Sequence, residues 1–420
     1  PAANGVSPKA AVFALDATSL NTSATGMNAS SVLWEVSSNM TDFDELGYVL
    51  TELEAGPTLG GQWVAIFGNG YESKSCKAQL FVVNLETGAL IRKIDTGVGS
   101  GNCADKNNTG RNGLGGVRLV RDAQQQIVGV YAGDLQGNLW KFNLNDSIPA
   151  NWNVDLSGEP LFKAGAAYPI TAAPSVVSLS LTSSPSGGYM VVFGSGKFFE
   201  VDDITSTNQQ SLFGVWDPVA FGVATTTTAL TDRTRLVQQT VGSAQVLNGS
   251  TYFAISANAV DYAKAVPDRG WYIDLPNTGQ RLVYPLELLK NRFIVADTIS
   301  PANVSLDPCS QTSAGTGYIY LLDALTGGGP SIPVFDTNGD NAINGDDAVV
   351  SGYQSSADGK NKTIGGDSTA TDTKFFNCSA GDPTCKQFNI NCALDGTCPP
   401  TTPPGAAQIQ SREWRQLFMR

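Results

Sequence analysis

The residues best placed to do chemistry lie in one twelve-residue stretch, Asp336-Thr-Asn338-Gly-Asp340-Asn-Ala342-Ile-Asn344-Gly-Asp346-Asp347. Oxygen-bearing side chains stand at its first, third, fifth and ninth positions, with an apolar residue at the eighth. A hard cation such as Ca²⁺ takes roughly six to eight oxygens, and this spacing turns alternate side chains toward one ion. Ala342, the seventh residue, would add its backbone carbonyl. Asp347 is the twelfth, where an EF-hand places its bidentate carboxylate, and is a possible sixth ligand. The sixth residue is Asn341 rather than glycine, and asparagine also tolerates left-handed backbone. Mg²⁺ would demand a stricter octahedron and more water. Four carboxylates crowded together without a cation would repel one another. No helical pattern precedes the stretch, and Val334 and Phe335 read as the end of a strand. The expectation is an EF-hand-like calcium loop, residues 336–347, set into a β-protein.

Other acidic groups are weaker candidates. Asp122-Ala-Gln124-Gln-Gln126 precedes a strand but has lost the carboxylates such a loop needs. Asp202-Asp203 and Asp42, Asp44 and Glu45 read as exposed acids. Asp268-Arg269-Gly270 reads as a turn before a strand. Trp140 and Trp216 read as core aromatics rather than sugar platforms.

What is missing narrows the chemistry further. The chain has 420 residues and not one histidine. That excludes a Ser-His-Asp triad, a Cys-His nucleophile and His-bound zinc or haem within it. Charged residues are 15% of the total, and 26 basic against 38 acidic residues give a net charge of −12. Nucleic acid needs a clustered basic face, and none is visible. No apolar run approaches the roughly 18 residues of a membrane-spanning helix.

Seven cysteines stand at 76, 103, 309, 378, 385, 392 and 398, none of them in a C-x-x-C pair. The crowding of four of them in a Thr- and Pro-rich tail reads as disulfide stapling in an oxidising compartment. The chain starts at Pro1 and reads as the processed or trimmed part of an exported protein. Cys76 and Cys103 flank the same strand pair and are expected to bond. Cys378–Cys385 and Cys392–Cys398 are favoured by proximity, which leaves Cys309 single within this chain or bonded to sequence outside it.

The elements that must carry the loop are short strands between Gly, Asn, Asp and Thr turns, with almost no helical periodicity. The pattern predicts strands at Gln79–Asn84, Ala89–Ile94, Asn138–Asn143, Ser175–Leu181, Lys197–Val201, Gly270–Asp274 and Gly317–Leu322, among others. Four segments repeat one arrangement, an apolar strand, an Asp or Asn, a turn and a second strand. They are Ala11–Val36, Leu80–Ile94, Val130–Leu144 and Tyr318–Phe335. Asn84 or Asp323 can bond its own following backbone, and Gly88 or Gly137 can supply positive φ. Repeated hairpins of this kind imply an all-β degenerate β-propeller of about six to seven four-stranded blades with long loop inserts. Residues 1–353 would form it. Residues 354–410 form an irregular Cys/Pro/Thr-rich insert or linker, and 411–420 a segment docking back on the propeller.

Several words of the sequence resemble the PilY/PilC family of type IV pilus biogenesis factors and tip-associated adhesins. They are AIFGNGY (Ala65–Tyr71), AQLFVVNLETGALIRKIDTG (Ala78–Gly97), YAGDLQGNLWKF (Tyr131–Phe142), VFGSGK (Val192–Lys197), GWYIDL (Gly270–Leu275), Asp307-Pro-Cys309 and Trp414-Arg415. They run in order along nearly the whole chain and match the family's C-terminal propeller. The family's loop pattern D-x-[DN]-x-D-x-Φ-x-[DN], with Φ apolar, falls on Asp336, Asn338, Asp340, Ala342 and Asn344. Asn344 stands where the family can have Asp, which lowers the charge, and the four-cysteine tail is longer than the family leads one to expect.

The resemblance implies a calcium-binding, non-enzymatic protein at the cell surface or pilus tip, exported through the periplasm. It would support pilus biogenesis, adhesion and twitching motility, with calcium occupancy governing extension against retraction. Minor pilins or a tip complex would be its partners, with a host-cell or surface ligand besides. The family's adhesive N-terminal region has no counterpart in this sequence. Two alternatives use similar blades. A quinoprotein-type dehydrogenase would need a quinone funnel and, in several cases, adjacent cysteines, which are absent. An outer-membrane assembly scaffold would be a shorter lipoprotein with a more regular repeat and fewer cysteines.

Overall fold

The computed structural model describes residues 11–17, 31–223, 229–289, 292–301, 315–340 and 343–354, with two further strands at 372–376 and 388–392. The expectations for Cys309, for the tail disulfides and for residues 411–420 lie outside the described residues, as does Ala342.

The chain opens with β1 (Ala11–Leu15) and β2 (Val32–Ser37), paired antiparallel as a two-stranded sheet. A four-stranded sheet follows in simple order: β3 (Glu54–Pro57), β4 (Trp63–Gly68), β5 (Gln79–Asn84) and β6 (Leu90–Asp95). The third sheet is β7 (Leu114–Arg121), β8 (Ile127–Asp134), β9 (Asn138–Asn143) and β10 (Asn153–Val154), with β11 (Phe162–Lys163) also on β9. Then come β12 (Ser175–Ser178), β13 (Tyr189–Gly194), β14 (Ser211–Asp217), β15 (Val237–Gln239), β16 (Gln245–Leu247), β17 (Ser250–Phe253) and β18 (Gly270–Asp274). The fourth sheet runs β12-β13-β14-β18-β15, the last pair parallel.

The remaining strands of the described core are β19 (Arg281–Leu282), β20 (Glu287–Leu289), β21 (Phe293–Pro301), β22 (Gly315–Asp323) and β23 (Gly352–Gln354). They join the β16–β17 hairpin in a seven-stranded fifth sheet, β16-β17-β23-β22-β21-β19, with β20 also on β21. β24 (Asp372–Phe376) and β25 (Phe388–Cys392) pair with each other.

Successive side chains of a strand point to opposite faces, so a strand buried on both sides must be apolar throughout. β4 and β5 show this directly. Ala65, Phe67, Phe81 and Val83 pack on Val12, Trp34 and Val36 of the first sheet. Val64, Ile66, Leu80 and Val82 pack the other way, on Val117, Val130 and Trp140 of the third. The same alternation continues along the chain. Val191 and Phe193 of β13 join Tyr131 and Leu139, whereas Met190 and Val192 join Ile294 and Tyr320 of the fifth sheet. The first five sheets therefore stack face to face in chain order, as blades do.

One device recurs where a blade's second strand ends. Gly68, Gly133 and Gly194 close β4, β8 and β13, or stand one residue before the close, and each touches the next blade. A Cβ there would lie 2.4 Å from the carbonyl oxygen of Leu114, 2.1 Å from Ile170 and 2.6 Å from Leu282 respectively. The residue after each glycine is polar and fully buried: Asn69, Asp134 and Ser195. Its side-chain oxygen accepts the backbone N–H of the first residue of the following strand, Gln79 at 3.0 Å, Asn138 at 2.9 Å and Ser211 at 2.9 Å. Asp134 also accepts from the Trp140 indole at 2.8 Å and from Asn112 at 2.9 Å.

A buried charge cluster joins the third and fourth sheets. Lys141 on β9 has no exposed side-chain surface, and its Nζ lies 2.9 Å from Asp217 and 3.3 Å from Asp155. It also donates to the Val219 carbonyl and sits 4.7 Å from the centre of the Phe221 ring. Tyr131 donates its hydroxyl to Asp217 at 2.5 Å. Burial, then the Asp217 carboxylate, pushes its phenol well above the ordinary range, so it keeps that proton.

Three expectations need correction. Lys197–Val201 is not a strand. Glu200 and Asp203 form a capping box over a 3₁₀ turn at Val201–Thr205, and Lys197 pairs with both acids. Local side-chain bonding of this kind competes with a ladder and here prevails over the apolar pattern. Tyr318–Phe335 is not a hairpin, and Val334 and Phe335 do not end a strand: β22 pairs instead with β21 and β23. Nor are the sheets uniformly four-stranded. The expected turns do form, with Asn84 accepting from Glu86 and Thr87 and Asp323 from Leu325 and Thr326.

Cys76 and Cys103 are bonded, with Cα atoms 5.1 Å apart and a sequence separation of 27. Closing a loop of that length constrains the unfolded chain by about 3–4 kcal/mol. Replacing both cysteines with serine is expected to lower unfolding free energy by about that amount in urea titrations, and reduction of the wild type to do the same. Lys141→Met leaves the buried Asp217 and the partly buried Asp155 without their cation, and a loss of about 3–5 kcal/mol is expected in the same titration.

Candidate metal centre

The segment between β22 and β23 carries the acidic loop. It leaves β22 through a turn held by Asp323, whose carboxylate also pairs with Arg292 at 2.7 Å. It is then pinned by Phe335 and Val350, both buried against Tyr252 of β17, with Val334, Leu247 and Tyr353 beside them. The apolar residues flanking the loop thus serve as packing anchors, which is why they mimic a strand end in the sequence. The Tyr252 hydroxyl donates to the Asp336 carbonyl at 3.1 Å and ties the start of the loop to the β16–β17 hairpin.

Within the loop the side-chain oxygens cap its own backbone. Asp336 accepts from Gly339 N at 2.7 Å, Asn338 from Asp340 N at 2.9 Å and Asn344 from Asp346 N at 2.7 Å. The Asn338 amide donates to Asp340 at 3.3 Å. Gly339 has φ of 79°, which lets the chain reverse between these residues. Asn338, Asp340 and Asn344 are exposed and Asp336 is partly so, whereas Asp347 is buried.

Asp347 points inward. Its Oδ1 accepts from Thr337 N at 2.7 Å, the Thr337 hydroxyl at 3.1 Å and Asn338 N at 3.3 Å, and its Oδ2 accepts from Asn344 N at 3.0 Å. Burial alone would raise this carboxyl. The amides of Asn344 and Thr337, the Thr337 hydroxyl and the Asn338 amide outweigh it and hold the group below the usual carboxylate range.

Among the described residues, no three Asp, Glu or Cys side chains converge as a metal-holding group. The loop's donor set is of another kind, with two carboxylates, Asp336 and Asp340, two amide oxygens, Asn338 and Asn344, and no nitrogen or sulfur ligand. Oxygen-only donors on one short loop fit a hard cation of calcium type. Thr337 and Tyr252, which shape the loop without belonging to the oxygen pattern, went unnoticed in the sequence. The only signal for Thr337 is a hydroxyl one residue inside the first aspartate.

The weaker candidates are structural. Asp122 accepts from Gln124 and Gln126 and closes a turn. Asp202 pairs with Lys106 at the surface, but Asp203 is buried, correcting its reading as an exposed acid. Asp44 pairs with Lys74, and Glu45 accepts from Ser75. Asp268 accepts from Asp261, and Arg269 donates to the Trp216 carbonyl. Trp140 is fully buried, and Trp216 is half-buried against the core of the fourth and fifth sheets.

Comparison with known proteins gives a consistent result. Residues 5–257 match the model of the PilY1 beta-propeller domain. That match stops short of the 336–347 loop, which longer alignments reach. The type IV pilus biogenesis factor PilY1 of Pseudomonas aeruginosa strain PAO1 is 30% identical over 440 residues, covering 92% of this chain and 33% of that protein. A PilY1 homolog of Xylella fastidiosa is 36% identical over 335 residues, covering 76% of this chain and 21% of that protein. This chain therefore spans about a third or less of the length of these curated relatives. The crystal structure of the Pseudomonas aeruginosa PilY1 C-terminal domain is similar with a TM-score of 0.68 and 27% identity, covering 88% of this chain and 75% of that one.

Because Asp340 is exposed and packs on no core cluster, Asp340→Ala in chelator is expected to change unfolding free energy by less than about 0.5 kcal/mol. Urea titration against the wild type checks this.

Proposed function

The chain belongs to the PilY1 β-propeller family, and from that premise we propose that it is the calcium-responsive propeller of a type IV pilus biogenesis factor. It acts as an assembly and binding module rather than an enzyme. The observation that carries the calcium part is the oxygen-only loop inserted between two paired strands of the fifth sheet. Asp336, Asn338, Asp340 and Asn344 would hold the ion with the Ala342 carbonyl. The ion supplies charge neutralisation and crosslinks the loop. The chain's own residues supply the frame.

On this reading the protein is exported and works at the cell surface or pilus tip with minor pilins or a tip complex, and an adhesive contact with a host or surface belongs to the whole protein. Calcium occupancy shifts the balance between pilus extension and retraction, and so twitching motility. The propeller takes six to seven blades, with β1 and β2 part of the first. No helix among the described residues is long and apolar enough to cross a membrane. An extended partner strand added to a blade edge suits a sparsely charged β-surface, and such a contact should survive high salt.

Two carboxylates place the affinity between about 10⁻⁶ and 10⁻³ M. Calorimetry of the wild type should show one calcium in that range, and Asp340→Ala should show none. Cells carrying Asp340→Ala in the full-length protein should still export it but change pilus number and twitching distance. A variant that binds calcium like the wild type would sink the loop assignment. An unaltered pilus phenotype in cells lacking the whole protein would sink the pilus reading.

A further inference from the structure

The loop contains one carboxylate that faces away from its exposed oxygens, and its geometry assigns it a different task. We propose that Asp347 does not ligate the ion but, with Thr337, clasps the two ends of the loop, and so positions Asp336, Asn338, Asp340 and Asn344 for a hard divalent cation. This rests on the calcium reading above.

Asp347 and Thr337 are 6% and 5% exposed, while Asn338, Asp340 and Asn344 are open to solvent. An ionised carboxylate offers about four lone-pair sites. Asp347 already receives four donors, three on Oδ1 and one on Oδ2. Bidentate ligation would require it to abandon some of them, the buried Thr337 N–H included, and a buried N–H left unpaired is costly. Those donors come from both ends, residues 337 and 338 on one side and 344 on the other. The Thr337 hydroxyl extends the clasp, donating to Asp347 and accepting from Ala348 N at 2.8 Å. With the Tyr252 hydroxyl on the Asp336 carbonyl, the loop is fixed from within and from the neighbouring hairpin. A loop shaped before the ion arrives loses less freedom on binding, and affinity rises for that reason alone.

Thr337→Val separates the two roles of Asp347. It removes a hydroxyl outside the proposed ligand set. If Asp347 is a clasp, the variant loses both hydrogen bonds of that hydroxyl and binds calcium at least about fivefold more weakly. If Asp347 is a ligand, freeing its carboxylate leaves affinity equal or tighter, and that result overturns the proposal. Hydrogen exchange in chelator gives a metal-free readout, with the amides of 337, 338 and 344 expected to lose protection in Thr337→Val and Asp347→Asn. Unchanged protection overturns the clasp. Europium luminescence lifetimes count the waters on a bound ion. Asp347→Asn should bind europium more weakly with the same water count, and a gain of water would mark Asp347 as a ligand. A wild type that binds neither calcium nor europium overturns the calcium reading and the positioning role with it. Wild-type binding with an unaffected Thr337→Val overturns the clasp alone.

Discussion

The stack of sheets depends on close approach at one recurring point. Where the second strand of a blade ends, the backbone of the next blade presses against it too tightly for any side chain, and glycine stands there in three successive blades at 68, 133 and 194. A polar residue follows at once and spends its side chain on the next strand of its own blade. One side of the point makes the interface between blades and the other closes the blade itself. Both faces of the central strands are then largely committed to apolar contact, so exposed polar chemistry is left to turns, edges and inserts.

The buried charges fit that division. Lys141, Asp217 and Tyr131, themselves fully buried, satisfy one another between two blades and serve as an interlock of sheets. Replacing such a cluster with apolar residues of the same shape can be neutral, whereas removing one member is severe. Its worth lies in specifying which two faces meet. The acidic loop is the opposite case. It hangs from the fifth sheet by Phe335, Val350 and Tyr252 and keeps its oxygens outside.

Much of this was legible in the sequence because two-sided burial leaves a plain trace. Gln79–Asn84, Asn138–Asn143 and Gly270–Asp274 are strands with the limits their composition suggests. The Cys76–Cys103 bond followed from the strand pair it brackets. The misreadings have physical reasons. Lys197–Val201 looks alternating, but two acids three residues apart cap a turn there. Val334 and Phe335 are apolar because they anchor a loop. The short strands β10, β11 and β20 exist only because a neighbour offers a free ladder, and the parallel seat of β15 on β18 depends on residues 34 positions away. In the candidate site the oxygen spacing was visible. That Asp347 turns inward was not, because its partners are backbone amides and carry no side-chain signature.

The fifth sheet also bears on the order of assembly. Its β16–β17 hairpin is made early, yet its partner β23 arrives late, with Thr251 paired to Gln354 across 103 residues, 354 minus 251. The second and third sheets are built from near neighbours and can form as soon as their own strands are available. Long-range pairings carry a larger loop-closure cost and slow folding. A chain delivered from its N-terminal end would thus hold its first blades formed while the edge of β17 waited open for β23. The acidic loop lies inside that interval, so the segment that shapes it is among the last parts of the described core to find its place, and an ion present at that stage would meet a nearly finished scaffold rather than an unfolded chain.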